Sequence, residues 1–153
     1  MINGDRMICT FLNKKNAGEC FTKWPLHLTI VPWFRIGLRT QAIEQDLSRK
    51  LSLFKPFEVS VQETALFGSN QDKPVNLVDS EDLIAIESIA RKYLHSLEAW
   101  LVDESTSIQR PYRPHITHQE SQRANQGESY LISQIAVVRK TETEKVVDGI
   151  IEL

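Results

Sequence analysis

The chain has 153 residues, of which 41% are hydrophobic and 25% are charged, and its formal net charge is −2. This composition is typical of a soluble globular protein, and the length predicts a single domain over residues 1–153 that folds without disulfides or a structural metal. The charge balance argues against a protein that grips long duplex nucleic acid, because such proteins usually carry a basic surplus.

The first part of the chain predicts two strands and then a helix. Residues 7–12 and 27–31 are short apolar runs of the kind found in strands, and Pro32 is expected to end the second run. Residues 38–54 predict a helix, because apolar side chains recur there at helical spacing, at Ile43, Leu47, Leu51 and Phe54.

The middle of the chain predicts a strand pair and a second helix. Residues 57–62 alternate between apolar and polar side chains, as a half-buried strand does, and residues 75–78 are expected to return after a turn that begins at Gly68. Asp79 and Ser80 predict the N-cap of the second helix. The apolar face of that helix consists of Leu83, Ile86, Ala90, Tyr93, Leu94 and Leu97.

The last part of the chain predicts a loop and further strands. Residues 103–113 are polar, residues 115–117 form a short strand, and residues 130–139 and 145–153 form a closing hairpin. The resulting order is β, β, α, β, β, α, β, β, β, which predicts an α+β fold with an antiparallel or mixed sheet and two main helices. Because each helix follows a strand pair, we expect two similar lobes within the one domain.

The N-terminal residues and the two cysteines, Cys9 and Cys20, predict the compartment. Residues 1–13 lack the features of a signal peptide, and no apolar run approaches the roughly 18 residues that a membrane span requires. Two cysteines make neither a disulfide-rich pattern nor a four-cysteine zinc site. We therefore expect a cytoplasmic protein with reduced thiols and no contact with membranes.

Two of the four histidines stand in the same local pattern, His, apolar residue, Thr. The pattern occurs at His27-Leu28-Thr29 and at His115-Ile116-Thr117, and each copy follows a proline by one or two residues. Alternate residues of a strand share a face, so each motif presents an imidazole and a hydroxyl on one side and its apolar residue on the other. Two such strands side by side would bring two imidazoles and two hydroxyls to one cleft.

That set of groups suits phosphodiester cleavage. An imidazole titrates near neutral pH, so one ring can take a proton from the attacking hydroxyl while the other gives a proton to the leaving oxygen. The threonine hydroxyls can donate to the non-bridging phosphate oxygens. This chemistry requires neither a metal nor a cofactor. A buried histidine bonded to the backbone explains one motif alone, but the duplication favours function.

The sequence resembles the two-histidine (2H) phosphoesterase superfamily, which includes bacterial RNA 2′,5′-ligases and cyclic nucleotide phosphodiesterases. The resemblance lies in Pro25-Leu26-His27-Leu28-Thr29-Ile30 and Arg113-Pro114-His115-Ile116-Thr117, and it extends more loosely over the chain. It implies a two-lobed α+β fold in which each lobe offers one motif to a central cleft. It also implies a catalytic pair, His27 and His115, and phosphate-binding hydroxyls on Thr29 and Thr117. The implied substrate is a nucleotide or short RNA with a cyclic phosphate or phosphodiester.

Residues beside the motifs are further candidates for substrate contact. Arg113 can pair bidentately with phosphate, and Tyr112 is a second candidate. Trp33, Phe34 and Tyr112 could stack on a base, although core or rim packing is the simpler interpretation of such aromatics. A local basic mouth is also conceivable, formed by Lys14, Lys15, Lys23, Arg35, Arg110 and Arg113.

Several alternatives stay open. A zinc site from Cys9, Cys20, His27 and His118 lacks any closely spaced ligand pair and is disfavoured. His118 is expected on the opposite face from His115, and His95 lies in the second helix, so both are interpreted as non-catalytic. We expect a monomeric phosphodiesterase, with an RNA 2′,5′-ligase or a non-catalytic nucleotide- or RNA-binding module of the same fold as the rivals.

Overall fold

The computed structural model describes residues 5–102 and 111–153. Within them the chain forms ten strands and two helices. In chain order these are β1 (Arg6–Phe11), β2 (Cys20–Phe21), β3 (His27–Arg35), α1 (Thr40–Lys50), β4 (Phe57–Phe67), β5 (Lys73–Asp79), α2 (Glu81–Ser96), β6 (Trp100–Leu101), β7 (His115–Thr117), β8 (Ser129–Ile132), β9 (Gln134–Lys140) and β10 (Lys145–Glu152).

The ten strands form one sheet in the order β2-β10-β9-β1-β3-β7-β5-β4-β8, with β6 paired to β3 beside β7. Every strand pair in the described part of the chain is antiparallel. The prediction of an α+β protein with two main helices is therefore confirmed, and of the two predicted kinds of sheet the antiparallel one is found. β7 is a central strand, so the second His-x-Thr motif lies next to the first.

Strand alternation divides the apolar side chains between the two faces of the sheet. Both helices contribute to one large cluster, which includes Ile43 and Leu47 of α1 and Leu83 and Ile86 of α2. In β1, Ile8 belongs to that cluster, whereas its neighbours Met7, Cys9 and Phe11 belong to a second cluster. The helices therefore cover one face, and we call the opposite side the open face.

Each helix is fixed where the sequence supplies a polar contact. Ser80 caps α2 by accepting a hydrogen bond from the backbone N–H of Leu83 at 3.1 Å, which confirms the predicted cap. Glu44 of α1 accepts a hydrogen bond from the backbone N–H of Ile150 in β10 at 2.9 Å. A Cβ on Gly149 would lie 2.8 Å from the Glu44 carboxylate, so any larger residue where α1 crosses β10 would have to displace the Glu44 side chain.

Two sequence predictions about strand boundaries are wrong. Pro32 does not end β3, which continues to Arg35; a register shift against β1 accommodates the residue that lacks an N–H. Residues 130–139 are two strands separated at Ser133, because β8 pairs with β4 whereas β9 pairs with β1 and β10. The predicted loop of residues 103–113 lies outside the described residues as far as residue 110.

Candidate active site

The two His-x-Thr motifs lie directly against each other. Leu28 of β3 pairs with Ile116 of β7, and both side chains are fully buried on the helix side. In an antiparallel pair the neighbouring positions are also opposite each other and point to the other face. His27 therefore stands across from Thr117, and Thr29 stands across from His115, on the open face.

The two imidazoles occupy one diagonal of this four-residue square and the two hydroxyls occupy the other. Diagonal neighbours in an antiparallel pair are about 7–8 Å apart at the backbone. The rings are near enough for the partial charge of His115 to affect the pKa of His27. The four side chains therefore surround the Leu28–Ile116 pair on the open face of the sheet.

Both imidazole rings are held in the same way by the backbone. Nδ1 of His27 lies 2.8 Å from the carbonyl oxygen of Pro25, and Nδ1 of His115 lies 2.8 Å from the carbonyl oxygen of Arg113. A carbonyl oxygen only accepts, so Nδ1 carries the proton and donates in each ring. Nε2 is therefore the ring nitrogen of each residue that is available to accept a proton.

Burial shifts both histidines toward their neutral forms. His27 is 8% exposed, and its removal from water lowers its pKa to about 4, an effect that the hydrogen bond to Pro25 opposes and His115 reinforces. Burial likewise lowers the pKa of His115, and the nearby Arg113 guanidinium adds to this effect. Both rings are therefore neutral at pH 7 in the free protein.

Each imidazole packs closely against an aromatic ring, and the Phe11 ring lies further away, 6.2 Å from that of His27. The Trp24 ring lies 4.2 Å from the His27 ring, nearly parallel at 28°, and the Phe67 ring lies 4.5 Å from the His115 ring at 56°. The Arg113 guanidinium lies 5.2 Å from the centroid of Phe67. Neither Trp24 nor Phe67 was predicted from the sequence, since neither belongs to the duplicated motif.

The two threonines, Arg113 and Tyr112 differ in their exposure and in the contacts that they make around this four-residue square. Both threonines are half-buried, and Thr29 Oγ1 lies 3.9 Å from the sulfur of Met7, a weak acceptor that a phosphate oxygen could replace. Arg113 is exposed beside His115. The Tyr112 hydroxyl instead donates a 2.6 Å hydrogen bond to the backbone carbonyl of Thr29, and burial raises the pKa of this tyrosine. Tyr112 thus ties the chain before β7 to β3.

The other two histidines lie away from the square. His118 Nε2 donates to Oδ1 of Asn76 at 2.7 Å, and Asn76 pairs with Ile116 on the opposite face from His115, as predicted for His118. His95 is exposed near the end of α2. Phe34 is completely buried in the core, whereas Trp33 belongs to the aromatic group around Trp24.

The candidate metal ligands and basic residues are mostly dispersed or paired. Cys9 is buried and Cys20 is exposed, both are free thiols, and the described ranges contain no group of three side chains suited to a metal ion. Lys23 pairs with Glu120 at 3.7 Å, and Arg35 pairs with Asp5 at 3.0 Å. The predicted basic residue at position 110 lies outside the described part of the chain.

The lowered pKa of His27 predicts a specific loss of stability in acid. Below pH 6.5 His27 of the unfolded chain takes up a proton, whereas His27 of the folded protein stays neutral down to about pH 4. Stability is therefore complete above pH 6.5 and falls with pH, by about 2 kcal/mol between pH 7 and pH 5 from this residue alone. We expect His27→Asn, which does not titrate, to flatten the pH dependence of urea unfolding by that amount.

The matched control is His95→Asn, at an exposed position of α2. It should leave the slope of stability against pH close to that of the wild type. Equal slopes in the wild type and His27→Asn would contradict the burial of a neutral imidazole.

These features define a class of protein: an antiparallel α+β fold in which two His-x-Thr motifs on adjoining strands face one side of the sheet. The sequence pattern of the 2′-5′ RNA ligase superfamily matches residues 10–145. The chain belongs to this superfamily, which is the 2H phosphoesterase superfamily that its motifs resemble. No curated protein has a significantly similar sequence.

Solved structures with the same fold cover nearly the whole chain. TT0787 of Thermus thermophilus is 18% identical, with a TM-score of 0.62 and 97% of each chain covered. A protein described as a phosphoesterase is 15% identical, with a TM-score of 0.58 and 99% of each chain covered. Escherichia coli LigT complexed with 3′-AMP is 13% identical, with a TM-score of 0.59, and the match covers 98% of this chain and 95% of LigT. No helix within the described residues is long and apolar enough to cross a membrane.

Proposed function

We propose that this chain is a metal-independent phosphoesterase that cleaves a cyclic phosphate or phosphodiester of a nucleotide or short RNA. One observation carries the proposal: the pairing of Leu28 with Ile116 sets two imidazoles and two hydroxyls on the diagonals of one square. Both imidazoles are fixed through Nδ1, which leaves two equivalent Nε2 atoms for one phosphate.

In the proposed reaction the two histidines act on opposite sides of the phosphorus. The neutral Nε2 of one ring removes a proton from water as the water oxygen bonds to phosphorus. The protonated Nε2 of the other ring gives its proton to the ribose oxygen as the bond from phosphorus to that oxygen breaks. The negative charge of a bound phosphate favours an imidazolium beside it, so substrate binding supplies the reason for one ring to become protonated.

The neighbouring side chains have distinct proposed roles. Thr29 and Thr117 donate hydrogen bonds to the non-bridging oxygens, where charge persists through the transition state. Arg113 attracts the phosphate from its exposed position next to His115. The Tyr112 hydroxyl is engaged with the Thr29 carbonyl, so we propose that it positions the two strands in place of the substrate contact expected from sequence.

Two observations support the proposed substrate class: the geometry of the four-residue square and the ligand of a structurally similar protein. The site is built for one phosphate, and LigT, which has a similar fold, is described in complex with 3′-AMP. We further propose that the parts of the sheet on either side of the β3–β7 pair act as two lobes, each offering one motif, within a single cytoplasmic, monomeric domain. An RNA 2′,5′-ligase remains the enzymatic rival, since the superfamily takes its name from that reaction.

The decisive experiment is a turnover assay with 2′,3′-cyclic nucleotides, ADP-ribose cyclic phosphate and 2′,5′-linked dinucleotides, before and after exhaustive EDTA treatment. We expect hydrolysis of at least one of these compounds at a rate that EDTA leaves unchanged, because the acid, the base and the hydroxyl donors are all side chains. Phosphate monoester products are separated by chromatography and identified by mass.

Three other results would change the assignment. Loss of activity in EDTA with recovery on one divalent ion would indicate a metallophosphoesterase. Joining of RNA ends with no hydrolysis of the dinucleotides would favour the ligase. Binding of the same compounds without any turnover would leave a nucleotide- or RNA-binding module.

A further inference from the structure

The two imidazoles share a second feature that lies outside the His-x-Thr motifs. Each lies within 4.5 Å of one aromatic ring, measured between ring centroids, and each of those rings has a cation close to it. The Phe11 ring lies further from His27, at 6.2 Å. His27 packs on Trp24, whose ring centroid lies 5.8 Å from the Lys145 ammonium. His115 packs on Phe67, whose ring centroid lies 5.2 Å from the Arg113 guanidinium.

We infer that Trp24 is a positioning residue for His27, and that Phe67 is the corresponding residue for His115. Each aromatic ring covers its imidazole, excludes water from it and fixes its plane, so that only Nε2 is offered to a ligand. The catalytic role of the two histidines in this inference rests on the proposed function. The packing of the aromatic rings on the imidazoles does not depend on that function.

Trp24 is the stronger of the two cases because it is held on several sides. The Phe21 ring lies 4.9 Å from it, the Phe11 ring 6.4 Å and the Trp33 ring 6.1 Å. A ring enclosed in this way has little freedom to turn, and the His27 ring stacked on it at 28° inherits that restriction. With Nδ1 tied to the Pro25 carbonyl, two independent contacts fix the orientation of this imidazole.

Two opposing effects of the indole on the protonation of His27 can be compared. An imidazolium gains from lying on an aromatic face, but the Lys145 ammonium already lies near this ring and opposes a second positive charge there. Exclusion of water disfavours the imidazolium, and burial is the largest influence on the pKa of His27. Removal of the indole should therefore make His27 more basic.

The other titratable groups on the open face around His27 do not reverse this direction. His115 of β7 is itself kept neutral by burial. Cys9 of β1, which pairs with Thr29, is completely buried, and burial raises the pKa of its thiol, so it stays uncharged. Lys23, in the loop before β3, pairs with Glu120.

The experiment compares the full-length protein with Trp24→Leu, Trp24→Phe and the control Trp33→Leu. The control makes the same chemical change in the same aromatic group, one ring further from His27. The pKa and the tautomer of His27 are read from imidazole ¹⁵N and ¹H NMR shifts as a function of pH, which requires no substrate. We expect the pKa to rise from about 4 by about one unit or more in Trp24→Leu and by less in Trp24→Phe.

Trp33→Leu should leave the His27 pKa at the wild-type value, and Phe67→Leu should raise the pKa of His115 while leaving that of His27 unchanged. Where a substrate is turned over, the acidic limb of kcat/KM should move with the pKa in Trp24→Leu. An unchanged His27 pKa in folded Trp24→Leu, or equal shifts in the Trp24 and Trp33 variants, would overturn the inference. Should the leucine variant not fold, an unchanged pKa in Trp24→Phe together with an unchanged tautomer would do so.

A shifted pKa with no turnover of any phosphodiester would leave the positioning role intact and count against the proposed function alone. Turnover of a phosphodiester with an unchanged His27 pKa in Trp24→Leu would support the proposed function and contradict the positioning role.

Discussion

Replacement of His27 or of His115 by alanine is expected to lower kcat on the best substrate by at least about 10²–10⁴-fold, the usual contribution of a positioned acid or base. Each ring has a single free nitrogen, because Nδ1 is committed to a backbone carbonyl. In the proposed mechanism the two rings act on one phosphate in one proton-transfer event. We therefore expect the double variant to be little worse than either single variant.

The control for this prediction is His95→Ala, which removes an exposed imidazole from α2 and should retain wild-type turnover. A substrate with an activated leaving group then assigns the roles, since it rescues the variant that lacks the acid and not the one that lacks the base. The wild-type rate should be bell-shaped in pH, and its two limbs belong to the coupled pair. Near-normal turnover in both alanine variants would rule out the paired-histidine mechanism.

Replacement of Thr29 or of Thr117 by valine is expected to lower kcat by about 10²–10³-fold, the usual effect of removing one donor to a charged transition-state oxygen. Valine keeps the shape and the branched Cβ that suit a strand, so stability should change little. Thr29 loses only a weak contact with the Met7 sulfur. Steady-state kinetics with urea unfolding in parallel separates the lost donor from a lost fold.

Thr64→Val is the matched control, because Thr64 is an exposed residue of β4 that lies outside the square. It should leave both kcat and stability unchanged. A loss confined to KM in Thr29→Val or Thr117→Val would show that the hydroxyl binds the ground state and the transition state equally.

The sequence predicted the composition of the candidate site because the relevant physics is local. A period of two puts His27 and Thr29 on one face whatever the rest of the chain does, and the same holds for His115 and Thr117. Leu28 and Ile116, the middle residues of the two motifs, point to the other face and pack in the core. The two helices were predictable for a similar reason, since their apolar stripes have a spacing that only a helix can bury.

What escaped prediction depends on contacts between distant segments. Pro32 continues a strand because β1 shifts register beside it, and Ser133 divides two strands because their partners lie in different parts of the sheet. Trp24 and Phe67 contact the two histidines, but their positions in the sequence have no common spacing from the two motifs. Tyr112 lies beside the motifs as predicted, but its hydroxyl donates to the backbone carbonyl of Thr29. That carbonyl is close to Tyr112 only in the tertiary structure.

The pairing of Leu28 with Ile116 has a consequence for how the candidate site is assembled during folding. The two motifs lie far apart in the chain, with both helices and the β4–β5 pair between them, so neither motif can complete the square until that long loop has closed. Contacts of such separation form late and slowly relative to local helices and hairpins. The four-residue square is thus a property of the assembled sheet as a whole, and a fragment carrying either motif alone would hold half of its chemical groups and none of their mutual geometry.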